Sequence, residues 1–314
     1  MHEILGQLLQ VGLFAAIIRI ATPLIFATLG ELFAERAGVL NLGIEGIMLL
    51  SAMTGFTAAY YSGDLWLGIA AAAGTGAIMG LLMGLVTVTL GLSQHVSGLG
   101  VTMLCTGLSF YCYRLVFGEP SQPPNIQAFQ SVPIPVLSQI PVLGPILFNQ
   151  FALSYLAIAG VAIAAFVLNR TPWGLNLRTV GENPRAADAA GVNVAFMRYQ
   201  ALVLSGALMG IGGAYLSMAQ YNAFTFGVVS GRGWVSIALV VFGQWRPWQT
   251  ALGALLFAFI DALQLRLQAS GIIHIPYQAF LMLPFLLTIV AMALVSRNAR
   301  APAALLVPFR KEER

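Results

Sequence analysis

The 314-residue sequence is 59% apolar, and charged side chains make up only 8% of it. A water-facing domain carries roughly 25% charged residues, so this composition excludes a free-standing soluble fold and makes the lipid bilayer the natural solvent. A net charge of +4 does not point to nucleic acid, because the arginines are spread along the chain rather than gathered in one patch.

A helix needs about 20 apolar residues to cross ~30 Å of hydrocarbon. In chain order, apolar runs lie near 9–29, 44–62, 65–91, 95–117, 151–169, 199–221, 233–245, 248–269 and 277–296. The run at 233–245 is short and predicts a partial crossing or one limb of a broken helix. Backbone groups in lipid must bond internally, so the runs predict helices, and the alternating segments of a barrel are absent. The expected fold is all-α: a single polytopic transmembrane domain over residues 1–314 with eight to nine crossings. The opening MHEILGQLLQ lacks a basic region, so the first run is expected to stay as a span rather than be cleaved.

Orientation follows from the arginines. The linker 170–198 carries Arg170, Arg178, Arg185 and Arg198, and the basic tail 297–314 carries Arg297, Arg300, Arg310, Lys311 and Arg314. The loop 118–150 carries no Lys or Arg. Linker and tail are therefore expected in the cytoplasm, and the loop and the N-terminus outside. Arg114, Arg232 and Arg266 break the pattern. The loop holds Pro120, Pro123, Pro124, Pro133, Pro135, Pro141 and Pro145, which resist regular helix. It serves either as a semi-rigid spacer or as a lid or landing surface for an external partner. Cys105 and Cys112 lie about 10 Å apart along one helix, beyond disulfide reach, and read as small buried hydrophobes.

Polar, glycine-bearing stretches interrupt the apolar runs. Gly38–Gly46 places Asn41, Gly43 and Glu45 at the entrance to the second span. A carboxylate at membrane depth costs a few kcal/mol unless it is paired or faces water. Asn41 and Glu45 therefore either line a solute path or brace a broken helix end. Ser93–Thr102 gives the fourth span a polar entry, where Ser97 and Thr102 either bond across helices or face the path, and His95 suits the interface. Ser230–Ser236, with Arg232 and Trp234, predicts another break. Ser230 and Trp234 are candidate gate residues, and Trp234 equally suits an interfacial anchor. The glycine breaks at 38–46 and 227–236 read as corresponding interruptions in two halves of a transporter fold. Arg19 and Asp261 sit mid-span and are expected to pair with each other or with Glu45. Gly76, Gly80 and Gly84 mark a close-packing helix face.

Residues 180–192 write a short helix with both ends marked. Asn183 is a good N-cap, Pro184 suits the first helical position, and Gly191 suits the position after the end. A helix this short is marginal alone in water, so packing against this chain or a partner must hold it. Gly181, Glu182, Asn183, Pro184, Arg185, Ala187, Asp188 and Gly191 form a candidate coupling element. No G-x-x-x-x-G-K-[ST] phosphate loop exists, and the single lysine is Lys311. With His2, His95 and His274 scattered, no metal site, no bound cofactor and no enzymatic activity are expected.

The runs ERAGVLNLGIEGIMLL (Glu35 to Leu50) and RTPWGLNLRTVGENPRAADAAGV (Arg170 to Val192) resemble the permeases of ABC importers for nucleosides and simple sugars, a group that includes branched-chain amino-acid permeases. The resemblance runs from about residue 15 to 297, and LNLGIEG is most similar to the nucleoside branch. It implies a permease subunit of the prokaryotic plasma membrane that moves a small polar solute. It also implies partners: a second permease subunit, a cytoplasmic ABC ATPase and an external solute-binding lipoprotein. By that likeness Gly181 through Gly191 would seat in the ATPase, and Asn41, Gly43 and Glu45 would lie near the path. The alternatives are a simple-sugar permease and a transporter driven by an ion gradient, with Glu45 or Asp261 carrying the proton.

Overall fold

The computed structural model describes residues 11–120, 122–270 and 300–309, with single positions at 282, 286, 289, 290 and 293. In chain order the helices are α1 (Val11–Arg36), α2 (Ile44–Ser62), α3 (Leu65–Gly84), α4 (Gln94–Phe117), α5 (Leu143–Leu147), α6 (Ala152–Arg170), α7 (Pro172–Glu182), α8 (Pro184–Ala189), α9 (Val194–Tyr215), α10 (Arg232–Phe242) and α11 (Pro247–Ser270). Single π turns extend α3 to Thr89 and α9 to Gln220.

Six of these helices are long and apolar enough to cross a membrane: α1, α3, α4, α6, α9 and α11, with the π turns counted into α3 and α9. α2 has the length but carries Glu45, Ser51, Thr54, Thr57 and two tyrosines, which dilute its apolar character. It is buried among other helices along its first half instead. α10 has only 11 residues, the short limb expected at 233–245. The apolar run at 277–296 lies outside the described residues.

α1 and α9 form the centre of the bundle, buried along most of their length. α9 packs on α3, α1 and α2, while α11 and α6 pack on α1. The outer helices leave apolar side chains uncovered, among them Ile78 and Leu81 on α3 and Met103 and Leu115 on α4. Such faces match hydrocarbon, because lipid tails are as apolar as the side chains. The α3–α9 seam depends on glycine. The Gly76 backbone lies against the Gly206 carbonyl, Gly80 against the Leu202 carbonyl and Gly84 against the Tyr199 ring. The neighbour of the sequence-predicted glycine face is therefore α9.

The proline-rich loop is more ordered than a spacer. β1 (Ser131–Pro133) pairs antiparallel with β2 (Asn149–Phe151), Ser131 opposite Phe151. This small ribbon and an isolated bridge between Asn125 and Ala223 are the departures from all-α among the described residues. Gln150 is fully buried and donates to the Ile146 carbonyl (2.6 Å) and the Ala15 carbonyl (3.4 Å), which fastens the loop to α1. Farther along, Ile126 N–H donates to the Asn222 carbonyl (3.1 Å), so the loop also crosses onto the segment before α10.

The seam makes a prediction. Gly76→Val drives a side chain into the Gly206 carbonyl and should cost about 1–3 kcal/mol or more, as overpacking does. Gly74 on the same helix faces open space, so Gly74→Ala should be neutral. Thermal unfolding of the detergent-solubilised chain checks both.

Candidate functional site

The chain leaves helix between α1 and α2, where Gly38 takes φ +84°. Loop backbone at membrane depth must find internal partners, and here side chains from α1 and α4, with Asn41 of the loop itself, supply them. Leu40 N–H donates to Gln94 Oε1 (2.8 Å), and Gln94 Nε2 donates to the Gly38 carbonyl (3.3 Å). Asn41 N–H donates to Glu31 Oε1 (2.9 Å), and Gly43 N–H donates to Asn41 Oδ1 (3.0 Å). Thr102 Oγ1 donates to the Leu42 carbonyl (2.9 Å). Asn41 is fully buried, and its amide faces the Met209 sulfur at 3.8 Å. Asn41, Gly43 and Thr102 thus brace the break. Ser97 is buried beside them.

The second break precedes α10. Gly231 has φ +81°, and its N–H donates to Glu45 Oε1 (2.8 Å). Gly233 N–H donates to Glu45 Oε2 (2.8 Å). One carboxylate therefore caps the start of α10 with both oxygens, where the helix dipole favours negative charge. Glycine is required at 233, since a Cβ there would stand 2.7 Å from the Glu45 backbone and carboxylate. The two glycine breaks, which the sequence presents as corresponding interruptions, are joined through this side chain. Ser230 is exposed at the rim, and Trp234 is 38% exposed.

The intramembrane charges pair differently from expectation. Arg232 reaches Asp261 at 3.7 Å, so Asp261 pairs with neither Arg19 nor Glu45. Arg19 Nε instead donates to Gln150 Oε1 (3.1 Å), and its guanidinium lies 4.7 Å from the centre of the Phe151 ring. The physical reason is the folded loop. It delivers a neutral acceptor and an aromatic face to Arg19, which leaves Asp261 to the cation at the start of α10.

The other end of α10 is tied to α1. Gln244 and Trp245 sit in the left-handed region, with φ +51° and +54°. Trp245 Nε1 donates to Glu35 Oε2, and Arg36 donates to the Trp245 carbonyl from Nε (3.0 Å) and Nη2 (2.7 Å). Gly181 lies directly against the Arg36 carbonyl. Ala304 N–H donates to the Gly181 carbonyl (2.8 Å), so the linker and the tail share one end of the bundle. Arg198, fully buried, donates there to the carbonyls of Ala37 (3.2 Å) and Val307 (3.3 Å).

α8 has the ends its sequence predicts. Asn183 Oδ1 accepts from Ala186 N–H (3.0 Å), and Gly191 has φ +87°. Gly181 and Ala187 point inward, Pro184 and Asp188 are half-buried, and Glu182, Asn183, Arg185 and Ala186 are exposed. An unbroken series of contacts runs from α8 through Gly181, Arg36 and Trp245 into α10, and from α10 to Glu45. Sequence reasoning missed Glu31, Glu35, Gln94, Arg198 and Trp245. Two carboxylates one helical turn apart in an apolar run were the available signal for Glu31 and Glu35.

At the far end of α4, about 34 Å from Gln94 by helix length, a cleft of ≈ 430 Å³ opens among Tyr113, Phe224, Phe226 and the loop residues Gly118, Glu119, Pro120 and Pro123. Tyr113 and Phe226 have ring centres 5.3 Å apart. The exposed pair Arg114–Glu119 (3.2 Å) neutralises its rim. No grouping of three or more His, Cys, Asp or Glu suited to a metal occurs among the described residues.

Residues 13–292 match the family described as branched-chain amino acid transport system / permease component. The chain is 36% identical to the guanosine ABC transporter permease protein NupQ of Bacillus subtilis, over 94% of this chain and 95% of that one. It is 37% identical to the nucleoside ABC transporter permease protein NupC of Lactococcus lactis, over 90% and 92%. It is 39% identical to the putative glucose ABC transporter permease protein TsgC13 of Haloferax volcanii, over 83% and 79%. No solved structure matches.

The cap carries its own prediction. Glu45→Gln keeps one acceptor oxygen but turns an amide donor toward the other N–H of α10. Leaving one buried donor unpaired should cost about 1–3 kcal/mol. The expected readout is a lower unfolding temperature and faster hydrogen exchange at Gly231 and Gly233.

Proposed function

The chain belongs to the branched-chain amino acid transport system / permease component family, and from that premise we propose that it is the membrane-spanning permease subunit of an ATP-driven importer whose solute is a nucleoside. The observation that carries the reading is similarity over nearly the whole chain to nucleoside permeases, in a sequence without a phosphate loop of its own. ATP hydrolysis then belongs to a separate cytoplasmic ABC ATPase. An external solute-binding lipoprotein delivers the solute, and a second permease subunit completes the pore. We place the linker 170–198 and the tail on the cytoplasmic side and the loop 118–150 outside, with eight to nine crossings once 277–296 is included. The aromatic cleft at the outer end suits a neutral solute with a planar base, because stacking needs no fixed charge.

In this reading the exposed face of α8, namely Glu182, Asn183, Arg185 and Ala186, meets the ATPase, while Gly181 and Ala187 seat the helix on its own bundle. Closure of the ATPase moves α8, and the contacts through Arg36 and Trp245 carry that motion to α10 and the Glu45 cap beside Ser230 and Trp234. The bundle alternates between inward and outward access as packed units. A simple sugar is the second reading, favoured by the 39% identity to a putative glucose permease.

The test is ATP hydrolysis by the purified permease and ATPase assembly, with the binding protein present, against a panel of nucleosides and sugars. Stimulation by nucleosides and not by glucose is the expected result. Stimulation by glucose alone supports the second reading, and uptake driven by an ion gradient with this chain alone refutes both. Arg185→Glu together with Ala186→Glu should abolish ATPase association and leave the free energy of unfolding within about 0.5 kcal/mol of wild type, since both side chains are exposed. Co-purification checks it.

A further inference from the structure

Beside the α8 seat lies a cavity of ≈ 480 Å³ lined by Arg36, Arg178 and Arg246, with Asn169, Trp245 and Trp248 around them. Arg178 and Arg246 lie close enough to Arg36 to repel it, and Glu182 is the carboxylate that attracts it. The ion pairs among the described residues, Arg114–Glu119 and Arg232–Asp261, engage none of the three. Glu35 is nearby but is taken up by the Trp245 indole. Three guanidinium groups line one space, and the one carboxylate that attracts Arg36, Glu182, is not among the lining residues, so the space calls for an anion.

The surroundings specify which anion. The cavity sits where α6 ends and α11 begins, and these two helices pack on each other. From α11, Trp248, Leu252 and Leu256 form one exposed stripe at four-residue spacing running away from the cavity. From α6, Ile163 and Phe166 lie exposed within two turns of Arg170. A polar, cationic mouth thus continues into two apolar, uncovered ridges. That is the layout of a headgroup with its acyl chains, and a half-exposed tryptophan marks the interface between them.

We propose that this cavity binds the phosphate of an anionic phospholipid, whose chains lie along the Trp248–Leu252–Leu256 and Ile163–Phe166 ridges. Because Arg36 also holds Trp245, the lipid sits next to the contacts that join α8 to α10. It neutralises the charge that would otherwise strain them. The proposal needs only that the chain is membrane-embedded and does not depend on which solute is carried.

The test is native mass spectrometry of the permease assembly titrated with phosphatidylglycerol or phosphatidylcholine. Phosphatidylglycerol should be retained at least about tenfold better, and Arg178→Gln with Arg246→Gln should remove most of that preference, since each charge contributes roughly fivefold. Arg114→Gln, at the opposite end, should leave it unchanged. Equal retention of the two lipids by the unmodified assembly overturns the proposal whether or not the variant folds. So does an unchanged preference in a folded Arg178→Gln, Arg246→Gln assembly. Displacement of phosphatidylglycerol by millimolar inorganic phosphate reassigns the site to a free anion. Loss of the ATPase with lipid preference intact reassigns the surface to protein docking.

Discussion

A helix that starts inside a bilayer leaves backbone N–H groups with nothing to bond, and the structure answers that problem with one side chain. Glu45 gives one oxygen to Gly231 N–H and the other to Gly233 N–H. The same residue stands in the first turn of α2, directly after the other break in the chain. Two interruptions that sequence separates by nearly 190 residues are thereby made one structural unit. Without that carboxylate, α10 would present its positive end to an apolar interior, and Arg232 beside it would add to the imbalance. Asp261 supplies the remaining compensation. Charge, cap and counter-charge are mutually satisfied, which is the condition for keeping ionised groups at this depth.

The other end of α10 is fixed as firmly by different chemistry. Trp245 is held through its indole by Glu35 and through its carbonyl by Arg36. Gly181 has no side chain, and that lets α7 and α8 seat on the Arg36 carbonyl. A short helix pinned at both ends cannot drift relative to either anchor. It either stays or moves with them. This is why α10 reads as a lever between α8 and the start of α2 rather than as a stray half-span.

How much of this could be read in advance follows from the range of each interaction. Helix positions were legible, because apolar length is a local property. The ends of α8 were legible, since Asn183, Pro184 and Gly191 act on their own neighbours. α7 was not read from the sequence, although Thr171 caps Gly174 N–H (3.1 Å) and Pro172 opens the helix, a local signal that was available. What failed was long-range choice. Mid-span charges announce that each needs a partner, but not which one. Arg19 found Gln150, some 131 residues away, because the proline-rich loop folds back as a ribbon. Glu45 announced either a path residue or a brace, and its two short bonds to α10 depend on a turn no local pattern encodes.

The most direct test of the linkage is a pair of distance measurements by spin labelling in the assembled transporter. One is taken within this chain, between position 189 on α8 and position 230 before α10. The other is taken between position 230 and the opposing permease subunit. When ATP binds, the distance within the chain should stay constant while the distance across the pore changes. If the 189–230 distance changes and the distance across the pore does not, α8 moves independently of α10, and the lever described here does not exist.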